Sequence, residues 1–135
     1  MYAKIEIFVS RSYSFLITLF LIDSLFIDDA SKFLSGTMCA LSSMASLELP
    51  HINVITKCDL IDTKEKEETL EKYLYPQKNL ILSMLNKSTS TRYQHLNHAI
   101  ATLIEEYSMV SFVSLNINDD DTVAKVFYHC DHCIQ

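Results

Sequence analysis

Asn53-Val54-Ile55-Thr56-Lys57-Cys58-Asp59-Leu60 is the stretch on which the reading of the chain turns. Residues 52–56 are short, apolar and β-branched, the pattern of a strand buried on both faces of a parallel sheet. Polar residues follow at once, so the strand delivers Thr-Lys-x-Asp to whatever lies beyond its C-terminal end. Toward the N-terminus, Pro50 closes a helix predicted over residues 28–47, with an apolar stripe of Ala30, Phe33, Leu34, Leu41, Met44 and Ala45. Its other side carries Ser31, Ser35, Cys39, Ser42 and Ser46, either a seam of close helix approach or an exposed serine face. Before that helix, residues 15–22 form a continuous apolar run behind Lys4 and Arg11, which resembles a signal peptide. No small-x-small cleavage site follows, and Asp23, Asp28 and Asp29 cut the run too short to span a bilayer. A second buried strand, ending in a carboxylate, accounts for it better.

Beyond the central stretch the alternation continues. A charged helix is predicted over residues 63–72, then Pro76 and an apolar-faced segment with Leu80, Ile81, Met84 and Leu85. Leu96, Ile100, Leu103, Ile104 and Tyr107 keep helical spacing, residues 110–115 read as a third strand, and Asn118-Asp119-Asp120-Asp121 offer caps and negative charge to a last helix. Strand–helix alternation of this kind builds an α/β fold, a parallel sheet flanked by helices. Right-handed crossovers then bring the strand ends at Asp23, residues 56–59 and residues 114–116 to one edge, where such sheets bind ligands.

Composition narrows the function. The 135 residues are 49% hydrophobic and 21% charged, enough for a real core and against disorder. A net charge of −6 supplies no basic surface for a phosphate backbone, which argues against direct nucleic-acid binding. One Gly and two Pro leave little turn chemistry for a many-stranded β sandwich. Cys39, Cys58, Cys130 and Cys133 are too sparse for a disulfide framework and suit a reducing, cytosolic setting. His129-Cys130-Asp131-His132-Cys133 has metal-ligand residue types, but no second Cys/His cluster completes a zinc site. Cys130 also keeps helical spacing with Val123, Val126, Phe127 and Ile134, as a core cysteine would. No metal ligand is assigned, and the scattered histidines have no nucleophile beside them.

Thr56-Lys57-Cys58-Asp59 has the form by which P-loop GTPases read guanine. The Asp carboxylate accepts from the ring N–H and the exocyclic amine, a donor pair that adenine does not present. The Lys stem lies along the base, and the x side chain faces away. Alone, the tetrapeptide reads equally as a solvated turn in which Asp59 caps the next segment. The ordered set around it is more specific: Phe20-Leu21-Ile22-Asp23-Ser24, Lys32-Phe33-Leu34-Ser35-Gly36, Ala40-Leu41-Ser42-Ser43-Met44, Ser46-Leu47-Glu48-Leu49-Pro50 and Tyr107-Ser108-Met109-Val110-Ser111-Phe112. Together with the central motif, these resemble the GPN-loop GTPases, closest to the third eukaryotic paralogue.

The resemblance implies one partial domain over residues 1–135, family-like over 15–135 with a divergent segment at 1–14. It implies an incomplete P-loop NTPase-like fold and a guanine nucleotide, GTP or GDP, held at Thr56, Lys57 and Asp59. Ser114 and Leu115, with Asn116, fall where the last base-contacting loop should lie; that segment reads equally as a plain strand-to-helix turn. The family uses Mg²⁺, for which no ligands are identified here. It further implies a paralogous GPN-loop subunit as dimer partner, a role in RNA polymerase II assembly and nuclear import, and a cytoplasmic protein that shuttles to the nucleus.

The departures are equally specific. No G-x-x-x-x-G-K-[ST], no Gly-Pro-Asn insertion and no Asp-x-Pro-Gly-Gln occurs in these residues, although Ile5-Glu6-Ile7-Phe8 resembles the segment that follows the last of them. Phosphoryl transfer depends on positioning and charge stabilisation. This chain is therefore expected to recognise a base without hydrolysing GTP. Missing early strands are expected to leave part of the sheet unpaired, with exposed hydrophobic surface and a bare edge. A nucleotide-free interaction module, or a truncated gene product, is the alternative reading. A secreted or membrane-anchored protein, glycosylated at Asn86-Lys87-Ser88, rests on residues 15–22 alone.

Overall fold

The computed structural model describes the backbone of residues 3–9, and residues 16–61, 63–75, 77–106 and 111–134. Among the described residues four strands, β1 (Ala3–Val9), β2 (Leu16–Asp23), β3 (His51–Thr56) and β4 (Phe112–Ser114), form one sheet in the order β1-β2-β3-β4. β2, β3 and β4 run parallel, with Asp23 opposite Thr56 and Ile55 opposite Ser114. The run at 15–22 is thus a central strand, with Ile17, Phe20 and Ile22 buried in the core; Phe15 lies outside the described residues.

The sheet does not end at β2. β1 pairs with it antiparallel, from Ala3 opposite Ile22 to Val9 opposite Leu16. The direction follows from the connection: residues 10–15 are too few for a parallel crossover, which takes about a dozen. The unpaired backbone groups of β2 find their partners in whatever extended segment lies nearest in the chain.

Among the described residues five α-helices flank the sheet or pack on its helical layer: α1 (Ala30–Leu47), α2 (Lys64–Leu74), α3 (Lys78–Ser88), α4 (Gln94–Glu106) and α5 (Asp120–Ile134). α1 and α2 pack on one face, where Phe20, Ile22 and Ile55 meet Phe33, Ala40, Leu41 and Tyr73. Phe33 stacks on Tyr73 with ring centroids 4.0 Å apart, and burial, aided by the Asp29 charge, pushes the Tyr73 phenol up to about 12. α3 and α4 join α1 in an adjoining apolar cluster of Leu34, Ile81, Leu85, Ala101 and Ile104. Between α3 and α4, buried Asn97 donates to Asn86 Oδ1 (2.9 Å) and Thr89 Oγ1 (2.7 Å), so its amide is satisfied inside the packing. α5 covers the opposite face through Val126 and Cys130, against Ile17, Leu19, Ile52 and Val54.

The α1 stripe is shifted from its sequence reading. Gly36, Thr37 and Ala40 are buried, whereas Ala45 is exposed. The small residues set how close α1 comes to β2: a Cβ on Gly36 would sit 2.9 Å from Ile22 Cδ1. Ser35, Cys39, Ser42 and Ser46 are exposed, so the serine row is a solvated face over most of its length. At Ser31, whose hydroxyl lies 3.4 Å from that of Ser88, α3 meets the row. Among the described residues no helix is long and apolar enough to cross a membrane.

Candidate functional site

The parallel strands bring three segments to one edge. β2 ends at Asp23 and runs into a short 3-10 turn, Ser24–Asp28; β3 ends at Thr56 and runs through Lys57 into a second such turn, Cys58–Leu60. β4 ends at Ser114, and Leu115 closes the group: its N–H donates to Ile55 O (2.8 Å) and its carbonyl accepts from Cys58 N–H (3.1 Å). All the sequence-identified residues, Thr56, Lys57, Asp59, Ser114 and Leu115, therefore lie on adjoining strand ends.

Three consecutive residues of the β2 end hold two of the β3 end. Thr56 Oγ1 donates to Ile22 O (3.2 Å), Lys57 Nζ to Asp23 Oδ2 (2.6 Å), and Ser24 Oγ to the Lys57 carbonyl (2.9 Å). Lys57 adopts a left-handed backbone, φ 59° and ψ 36°, a conformation an L-residue with a side chain takes at a cost of about 1–2 kcal/mol. That turn separates the paths of residues 57 and 59, so the two side chains of the motif are not stacked along one strand.

The two acids of the site differ in environment. Asp23 is 7% exposed. Burial by itself would raise its carboxyl, but the Lys57 ammonium, the Leu25 N–H donating to Oδ1 (3.1 Å) and the Lys57 charge outweigh that and hold it below the usual carboxylate value. Asp59 is exposed, and no described side chain is bonded to its carboxylate. Between them, Cys58 turns inward: it packs on the α1 face of the core, its Sγ lies 3.3 Å from Ile55 O, and burial pushes its thiol up. The x position thus points away from the edge.

Sequence reasoning marked Asp23 as a strand end but assigned it no partner, and gave Ser24 no role. The available signal was a carboxylate closing an apolar run in a parallel sheet, next to a strand that ends in lysine. The α5 N-terminus is built as expected, with Asp119 Oδ1 accepting from Asp121 N–H (3.2 Å) and Thr122 Oγ1 donating to the Asn116 carbonyl (2.9 Å). His129, His132 and Cys133 are exposed on α5 while Cys130 packs inward. Among the described residues no group of three His, Cys, Asp or Glu side chains is arranged to hold a metal ion. The groove between α2 and α3, lined by Glu71, Leu74, Tyr75 and Leu80 among others, shares no residue with the strand-end edge.

Three parallel strands flanked by helices, with Thr-Lys-x-Asp at a strand end, define an α/β protein with an incomplete P-loop NTPase-like fold. The family model described as "Conserved hypothetical ATP binding protein" matches residues 4–135. The chain is 42% identical over 118 residues to GPN-loop GTPase 3 of Dictyostelium discoideum, covering 87% of this chain and 41% of that protein. It is 36% identical over 136 residues to GPN-loop GTPase 3 of Mycosarcoma maydis, 94% of this chain and 48% of that one. To the Xenopus tropicalis protein of the same name it is 41% identical over 117 residues, 86% and 41%. No solved structure matches. This chain belongs to the GPN-loop GTPase family. It spans less than half the length of these relatives.

Proposed function

We propose that the strand-end edge binds the base of a guanine nucleotide, with Asp59 accepting from the ring N–H and the exocyclic amine. The observation that carries this reading is an exposed carboxylate, unengaged by any described side chain, two residues past a lysine whose ammonium is held by Asp23. In this reading the Lys57 stem flanks the base, and Thr56 ties β3 to β2 through Ile22 O. Ser114 and Leu115 would border the base, Leu115 tied to the edge through its backbone bonds to Ile55 and Cys58.

These residues fit the base end of GTP or GDP. They do not fit the phosphate end, because no phosphate-cradling glycine loop with its lysine and hydroxyl occurs among them. Mg²⁺ would act at that end, so this chain's part is recognition, and we propose that it does not hydrolyse GTP unaided. Pairing with a paralogous GPN-loop subunit, service to RNA polymerase II assembly and nuclear import, and a cytoplasmic location with nuclear shuttling belong to the same proposal.

The test is a fluorescence titration of the folded chain with labelled GDP, competed by unlabelled GDP and by ADP. Displacement by GDP alone, abolished in Asp59→Ala, supports the reading. A folded chain that binds neither nucleotide overturns it.

A further inference from the structure

We infer that Asp23 is a specificity-determining positioning residue, which takes up the Lys57 ammonium and so leaves Asp59 free to read a base. This rests on the guanine-site reading above.

Lys57 and Asp59 are two residues apart in one turn, and they are the nearest opposite charges in the sequence of the motif. Left alone, an ammonium on a flexible stem would neutralise the exposed carboxylate and compete with the neutral N–H donors of a base. Asp23 comes from the neighbouring strand and removes that competition. Its Oδ2 lies 2.6 Å from Lys57 Nζ, and its own carboxylate is buried while the lysine side chain stays 58% exposed. The Leu25 N–H on Oδ1 fixes the carboxylate from its other side.

The backbone is arranged to the same end. Lys57 sits in the left-handed region, a conformation that persists only where surrounding bonds impose it, and the Ser24 hydroxyl on the Lys57 carbonyl is one such bond. Asp23 and Ser24 thus hold the side chain and the main chain of a single residue.

The experiment compares Asp23→Asn, Lys57→Met and the double variant, each checked for folding by circular dichroism. Labelled GDP is competed by GDP, inosine diphosphate and ADP. Asn keeps the shape of Asp23 and an oxygen for the Leu25 N–H, but holds an ammonium less strongly. Asp23→Asn is expected to weaken GDP binding about tenfold and to narrow the GDP-over-ADP preference by the same factor, the scale of one charge-assisted hydrogen bond. Met keeps an unbranched stem without a charge, so the double variant is expected to regain most of the lost preference. A merely structural role predicts no such rescue.

Wild-type affinity and preference in Asp23→Asn would overturn the inference, as would a double variant no better than Asp23→Asn. If Asp23→Asn does not fold, Ser24→Ala, which leaves both charges in place, is expected to weaken GDP about threefold, the scale of a neutral hydrogen bond, and an unchanged affinity would count against the clamp. Failure of the wild-type chain to bind GDP would remove the guanine reading itself, an outcome distinct from a binding wild type with an indifferent Asp23→Asn.

Discussion

The two ends of the same pair of strands treat polar side chains in opposite ways. At the C-terminal ends of β2 and β3, Asp23, Ser24, Thr56 and Lys57 are bonded to one another or to backbone across the strands. At the N-terminal ends, Thr18 lies opposite His51, with Asn53 two residues on. There the Thr18 hydroxyl, the Asn53 amide oxygen and both ring nitrogens of His51 are buried without a hydrogen-bond partner among the described residues. Asn53 is close enough to oppose the fall in the His51 pKa, yet no bond of good geometry closes between them. One end organises its polar groups for use; the other carries a desolvation cost that packing such as the Phe20–His51 stack, with centroids 6.2 Å apart, must offset.

The comparison can be broken most forcefully at Asp59. If the C-terminal edge is a base site, Asp59→Ala removes two charge-assisted bonds at about 1.5–3 kcal/mol each, and GDP affinity falls on the order of a hundredfold or more. ADP competition and thermal stability stay where they were, because the carboxylate is exposed and supports no packing. Equal loss for both nucleotides would deny Asp59 its reading role.

A matched pair of smaller substitutions tests the contrast between the ends directly. Thr56→Val deletes a hydroxyl that bonds Ile22 O and is expected to lower stability by about 1 kcal/mol. Thr18→Val deletes one that is fully buried and unpartnered, and is expected to raise stability by about the same amount. Denaturant midpoints decide the signs. Destabilisation by both would mean that Thr18 has a partner outside the described residues.

The smallest effect is in the pH dependence, where each end has its own window. His51 is held below its ordinary 6.5, first by burial, with Asn53 opposing. The unfolded chain therefore takes up a proton before the folded one does. The stability His51 contributes is whole above 6.5 and declines as pH falls from there through its folded value. Asp23 is held below 3.8, so its contribution is present above 3.8 and is lost only as pH drops through its lower folded value. Thermal melts across the acid range should show the upper limb vanish in His51→Phe and the lower limb in Asp23→Asn. An upper limb that persists in His51→Phe would place its origin elsewhere.

Much of this was readable from pattern. The strand at 52–56, the run at 15–22 and the capped helix after residue 118 are local signals, because burial on both faces and helix capping act on a few consecutive side chains. The motif's position at a strand end was readable for the same reason. The Ala45 error and the buried Gly36 and Thr37 of α1 show the limit: helical spacing names a face, but how closely β2 approaches decides which small residues lie beneath it.

By itself the sequence determined the strand–helix order, the placement of Thr56, Lys57 and Asp59 just beyond a buried strand, and membership of a family whose other members are named as GTPases. Only the tertiary structure decided that β1 covers β2 antiparallel, that Asp23 holds the Lys57 ammonium from 34 residues away, and that Thr18 and Asn53 are buried unpaired. The physical reason is range. Propensity and periodicity act within a turn or a strand, whereas which carboxylate meets which ammonium depends on strand register, and register is settled only when the two strands pair.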